Sequence, residues 1–224
     1  MAIRFRDRKA AGECLAQHLY PYQNQANLIV LGLPRGGIPV AYEIARTLQA
    51  NLDVCLVRKL GVPSHPELAM GAIALDGIRI LNHTLIETLG ISSQEVETVT
   101  TQAQQELTRQ NQCYRQGRPY PDLSDQTIVL VDDGLATGSS MQAALAFLRK
   151  QQPRAIIVAV PIAATAPSSL IEQEVDQVIC LYQSDHLMAI SHWYDDFSAL
   201  TDTQVQSQLA QGNFKIMTNG TPPI

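Results

Sequence analysis

Asp132 and Asp133 stand side by side at the end of an apolar run, Ile128 to Val131, and Gly134-Leu135-Ala136-Thr137-Gly138-Ser139-Ser140 follows at once. Two carboxylates at the carboxyl end of a strand can grip vicinal hydroxyls or a hydrated metal ion. A Thr-Gly-Ser-Ser turn that opens a helix offers backbone N–H groups, hydroxyls and the positive end of the helix dipole to a phosphate. Acids for a sugar, beside amides for its phosphate, describe a sugar-phosphate site. A nucleotide P-loop fits less well, because no Lys follows the glycine and the spacing differs. Pro34-Arg35-Gly36-Gly37 is a second candidate: two glycines let backbone approach a ligand, and Arg35 can grip phosphate oxygens in a fork. Lys59 offers an ammonium group near the same edge, or simply snorkels at the surface. His65 and Glu67 lie in a polar, breaker-rich stretch, Gly61 to Leu68, where they can serve as acid–base or metal groups or stay solvated. Trp193 and Tyr194 lie in an aromatic cluster flanked by acids, suited either to stacking a planar acceptor or to closing the core.

These residues need elements to hold them. Apolar strand-like runs alternate with helical periods, which predicts an α/β fold with a mostly parallel sheet. Ala10, Cys14, Leu15 and Leu19 mark a short amphipathic helix; Asn27 to Leu33 is a buried strand, and Ile38 to Gln49 the helix after the Arg35 loop. Leu52 to Val57 reads as a second strand ending at Arg58-Lys59, the acid-bearing strand comes third, and residues 155–160 and 177–181 supply two more. Asp76-Gly77, between two apolar runs, favours a hairpin turn. Ser92 and Glu95 form a capping box for a long helix with Val96, Val99, Ala103, Leu107 and Tyr114 along one stripe, which can be a lid, an oligomer contact or plain packing.

With 224 residues, 46% of them hydrophobic, the chain has enough apolar mass for a substantial core. A net charge of −5 argues against non-specific nucleic-acid binding, which relies on a basic face. Cys14, Cys55, Cys113 and Cys180 are scattered and read as reduced core thiols. The charged opening residues lack the apolar run of a signal peptide, and the longest apolar stretch, 156–165, is too short to span a bilayer. The expectation is a cytoplasmic protein that binds neither membrane nor nucleic acid. His18, His83 and His186 show no metal-ligand spacing.

The segment 128–141 resembles the 5-phosphoribosyl-1-pyrophosphate (PRPP) motif of the type I phosphoribosyltransferases, and the resemblance extends over most of the chain. It implies a doubly wound, mostly parallel five-stranded sheet, strand order 3-2-1-4-5, with a small hood. One domain would cover 1–212, its hood drawn from parts of 60–120 and 183–212, with 213–224 a flexible tail. By that resemblance Asp132 and Asp133 bind the ribose hydroxyls, and Ala136, Thr137, Gly138, Ser139 and Ser140 wrap the 5′-phosphate. Arg35, Gly36, Gly37 and Lys59 take the pyrophosphate. Trp193 and Tyr194 face the acceptor, and Mg²⁺ is held by Asp132 and Asp133 indirectly, through water and PRPP. A mobile loop near 61–70 would close over the site. The implied reaction is Mg²⁺-dependent transfer of 5-phosphoribose from PRPP to a small-molecule acceptor, usually a nitrogen nucleophile such as a base, releasing pyrophosphate, with Asp132, Asp133, Lys59 and Arg35 as its catalytic set. Homo-oligomerisation is left open. Purine-salvage members carry an acid where this chain has Ala136, which weakens a hypoxanthine or guanine assignment. The alternatives are a non-catalytic PRPP-sensing regulator, or a phosphoreceiver built on Asp132, Asp133 and Lys59.

Overall fold

The structure is a computed structural model and describes residues 4–75, 77–212 and 214. In chain order its elements are α1 (Arg8–His18), β1 (Leu28–Gly32), α2 (Gly37–Leu48), β2 (Asn51–Val54), β3 (Val57–Val62), β4 (His65–Ala74) and β5 (Arg79–Leu81). Then come α3 (His83–Thr88), α4 (Ser93–Arg115), β6 (Thr127–Val131), α5 (Ser139–Lys150), β7 (Ala155–Ala164), α6 (Thr165–Glu172), β8 (Gln177–Ser184) and α7 (Asp202–Gln211). The chain divides into two compact units, 1–55 with 123–137 and 152–224, and 56–122 with 138–151.

The first unit carries an all-parallel five-stranded sheet, β2-β1-β6-β7-β8. β1 and β6 are buried at every residue, as expected for parallel strands covered on both faces. Counted along the sheet the order is 2-1-3-4-5, which corrects the expected 3-2-1-4-5. β6 pairs directly with β1, Gly32 opposite Val131, so the Arg35 loop and the acid pair emerge side by side. This is the switch point of a doubly wound sheet, where open α/β sheets take their ligands. α2 turns Ile38, Val40, Ala41, Ile44, Ala45 and Leu48 inward and ends at left-handed Gln49, whose N–H reaches Ala45 O. α1 presents Ala11, Gly12, Leu15 and Ala16. Cys14 lies off that face and is exposed, so of the four free cysteines only Cys55 is a core thiol.

The second unit holds an antiparallel sheet, β3-β4-β5. Arg58 and Lys59 therefore do not end the second strand. β2 stops at Val54, Cys55 donates its N–H to Gly32 O, and the chain enters the small sheet at Val57. The continuous apolar run 52–57 hides this change of sheet. Residues 61–68 form no long loop either: only 63–64 turn, and β3 and β4 pair on both sides with register shifts at Gly61. The β4–β5 hairpin forms as expected, with Gly77 at φ 83 and its N–H on Ala74 O; Asp76 lies outside the described residues, as does the tail beyond 214. α4 has its Ser92–Glu95 capping box and buries Val96, Ala103, Leu107 and Tyr114. Among the described residues no helix is long and apolar enough to cross a membrane.

Candidate functional site

β1 and β6 run in register to their carboxyl ends, and Leu33 extends the pairing by donating its N–H to Val131 O at 2.8 Å. The chain then turns through Pro34 and Arg35, joined by a cis peptide, into α2. Gly36 and Gly37 have a steric duty the sequence did not reveal. A Cβ on Gly36 would lie 2.0 Å from Asp133 Oδ2, and one on Gly37 would lie 2.6 Å from Val131 O. The loop rests directly on the acid pair, and only glycine fits there.

Asp132 accepts the Asp133 N–H on Oδ1 at 2.9 Å. Asp133 Oδ2 receives Arg8 Nε at 2.7 Å, an ion pair whose side chains are only 11% and 14% exposed. Burial, then the neighbouring Asp133 charge, pushes the Asp132 carboxyl well above the ordinary carboxylate range. Burial also raises Asp133, but the Arg8 hydrogen bond and charge oppose it. Arg8 therefore favours the ionised form of Asp133 more strongly than that of Asp132.

Arg8 opens α1, whose start is capped by Asp7 accepting the Ala10 N–H at 2.7 Å. Its guanidinium lies 3.8 Å from the Phe197 ring centroid and donates from Nη1 to Ser198 O at 3.0 Å. Tyr194 donates its hydroxyl to Asp133 O at 2.7 Å. Burial, reinforced by the Asp133 charge, keeps that phenol protonated. Tyr194 is 3% exposed and packs its ring against Phe5 and Phe197, so it supports the acid pair from within the core. Trp193 is half-buried and stacks on Tyr182 at 6.1 Å.

The turn after the acids is pinned on both sides. A Cβ on Gly134 would meet Ile190 at 2.4 Å. Leu135 donates to Ile162 O and accepts from the Ala164 N–H, both at 2.8 Å, in a bridge to β7. Ala136 and Thr137 are exposed, and Gly138, left-handed at φ 77, passes the chain into α5 at Ser139. As the N-cap, Gly138 gives that helix start no side-chain hydrogen bond. Arg35 is exposed, with Nε on Asp202 Oδ1 at 3.0 Å and Nη1 on Leu200 O at 3.2 Å.

The structure therefore brings Asp132, Asp133, Arg35, Gly36 and Gly37 together at one sheet edge. Lys59 belongs to β3 of the other unit, where it lines a cavity of ≈ 530 Å³ with Arg58, Thr98 and Gln102. His65 is exposed at the start of β4, and Glu67 lies within that strand. Arg8, Phe197, Ser198 and Asp202 were not legible as site residues: Arg8 is 125 positions from its carboxylate partner, and no local spacing links them.

The profile of the family described as "Phosphoribosyl transferase domain" matches residues 6–193. Two Mycobacterium tuberculosis proteins with provisional phosphoribosyl transferase names, Rv0571c of strain H37Rv and MT0597 of strain CDC 1551, are each 40% identical over 201 residues. Those residues are 90% of this chain but 45% of each relative, so the chain spans about half the length of the curated relatives it matches. The crystal structure of TT1426 from Thermus thermophilus superposes with a TM-score of 0.80 at 37% identity, covering 94% of this chain and 99% of that one. With the switch-point site, the acid pair and the glycine loop in place, this match shows that the chain belongs to the phosphoribosyl transferase domain family.

Proposed function

We propose that this domain binds PRPP with Mg²⁺ and transfers its 5-phosphoribosyl group to a small-molecule acceptor, releasing pyrophosphate. The observation that carries this reading is the meeting of the acid pair with the Arg35-Gly36-Gly37 loop on adjacent parallel strands. In the reaction the ribose C1–O bond to pyrophosphate breaks and the leaving group keeps the electron pair. The acceptor's lone pair closes the new bond at C1, and its proton passes to solvent or a nearby base. The sugar becomes oxocarbenium-like on the way, so the protein acts by positioning and by charge neutralisation.

Asp132 and Asp133 hold the ribose hydroxyls, and Thr137, Gly138, Ser139 and Ser140 hold the 5′-phosphate. Arg35 draws on the leaving pyrophosphate. Trp193 is the candidate platform for a planar acceptor. The acid pair fits Mg²⁺ by donor type, since carboxylate oxygens are hard ligands. That ion keeps several waters, so the acids would hold it indirectly, through water and PRPP. Bound there, Mg²⁺ would supply charge neutralisation for the departing pyrophosphate.

The test is pyrophosphate release on mixing the protein with PRPP, Mg²⁺ and a panel of acceptors. Release by wild type and its loss in an Asp132→Asn, Asp133→Asn double variant is the expected result. PRPP binding without release from any acceptor would instead indicate a PRPP-sensing regulator. No PRPP binding at all would end the proposal.

A further inference from the structure

Arg8 holds Asp133 through a planar group fixed on three sides. Nε meets the carboxylate at 2.7 Å, Nη1 donates to Ser198 O at 3.0 Å, and the guanidinium face lies 3.8 Å from the Phe197 ring centroid. Such an arrangement leaves the guanidinium no rotation that keeps all its contacts. The carboxylate is confined from the other direction by the Gly36 backbone, where even a methyl group would sit 2.0 Å from Oδ2. The peptide is tied on both sides as well, its N–H to Asp132 Oδ1 and its carbonyl to the Tyr194 hydroxyl.

Taking both charges of an ion pair out of water is costly, so a pair this buried is a weak net stabiliser. What it secures is the orientation of one carboxylate. One guanidinium N–H uses a fraction of a carboxylate's acceptor sites, so Asp133 keeps capacity for a ligand hydroxyl. Phe197 and Ser198 lie past residue 193, where the family match ends.

We propose that Arg8, held by Phe197 and Ser198, is a positioning residue that aims the Asp133 carboxylate at a ribose hydroxyl. The inference rests on the PRPP reading of the site, and it assigns ribose selectivity to a residue outside the acid motif.

Binding without metal or turnover tests it. The probes are ribose 5-phosphate, 2-deoxyribose 5-phosphate, 3-deoxyribose 5-phosphate and inorganic pyrophosphate, titrated calorimetrically into wild type, Arg8→Met, Arg8→Lys and Phe197→Leu. Wild type should prefer ribose 5-phosphate over at least one deoxy sugar by roughly tenfold or more, as expected for a hydrogen bond to a charged group. Arg8→Met should lose most of that preference and keep its pyrophosphate affinity. Arg8→Lys, with the charge but not the fork, should retain part of it. A merely structural role would weaken all four ligands together and leave the ratio unchanged. Folded Arg8→Met with the wild-type preference would overturn the inference and leave the proposed function standing. If Arg8→Met does not fold, Phe197→Leu decides: a reduced preference supports the inference, an unchanged one overturns it. Wild type that binds ribose 5-phosphate without distinguishing the deoxy sugars would remove the hydroxyl role of the acids and this inference together. Wild type that binds none of the probes would remove the proposed function as well.

Discussion

Asp132 and Asp133 sit side by side, half-buried, at the carboxyl end of β6, and their ionisation is linked to stability. Asp132 is raised well above its ordinary value of 3.8, first by burial and then by the charge on Asp133. The folded protein therefore binds this proton more tightly than the unfolded chain does. The stabilising contribution is fully present below the unfolded value and is lost as pH rises through the folded one. Asp132→Asn removes the titration, so its stability relative to wild type should improve steadily as pH rises above about 4. Urea midpoints across that range measure it, and a difference independent of pH would contradict the assignment. Gly36 gives a steric test of the same pair. Asp133 is held by Arg8 and cannot swing away from a new methyl group. Gly36→Ala should then cost about 1–3 kcal/mol of stability, as overpacking does, and weaken ribose 5-phosphate binding. Unfolding curves and calorimetry that match wild type would refute the close approach.

At the scale of elements, the site depends on how strands and helices end. Gly138 joins the acid turn to α5 in a left-handed conformation that side chains with a Cβ resist. Gly138→Ala should cost about 1–2 kcal/mol, and Gly138→Asn less, because Asn visits that region more readily. Thermal melts rank the two variants, and equal stabilities would argue against the strain. The segment 194–202 works as a strap. It supplies the Tyr194 hydroxyl to Asp133 O, the Phe197 ring and Ser198 O to Arg8, and Leu200 O with Asp202 to Arg35. The Arg35–Asp202 pair is partly exposed, 45% and 27%, so it contributes modestly. Asp202→Asn should change pyrophosphate affinity by at most about fivefold and leave ribose 5-phosphate binding untouched. A larger effect on the sugar phosphate would mean that the strap serves the two anion sites differently from this description.

For the whole molecule the open chemical question is the acceptor. Ala136 is exposed just before Thr137 and provides no carboxylate there to act as a general base. General acid–base help contributes about 10²–10⁴-fold, so hypoxanthine and guanine should turn over far more slowly than an acceptor that is already anionic. An acceptor panel scored by pyrophosphate release decides this, and efficient turnover of either purine would refute it.

The acid pair, the small-residue turn and the Pro-Arg-Gly-Gly loop were legible because their chemistry is local: each sits within a few residues of a strand end that hydrophobic pattern reveals. The α/β class followed from alternating apolar runs, and the α4 start from its Ser92–Glu95 box. Strand order was not legible, since runs of similar apolar character do not state which neighbour each pairs with. Nor was the point at which Leu56 and Val57 leave the parallel sheet for the antiparallel one, because a continuous apolar run suits either. The loop expected at 61–70 became paired strands for the same reason: pairing is a property of two segments. Arg8, Phe197 and Asp202 joined the site only in three dimensions, and Tyr194, expected at the acceptor, came in as a hydrogen-bond donor to Asp133 O. Sequence determined which chemically capable groups stand at the strand ends of the candidate site. Tertiary structure decided which side chains hold those groups still, since a clamp between residues 8, 133 and 197 exists only after the chain has closed on itself.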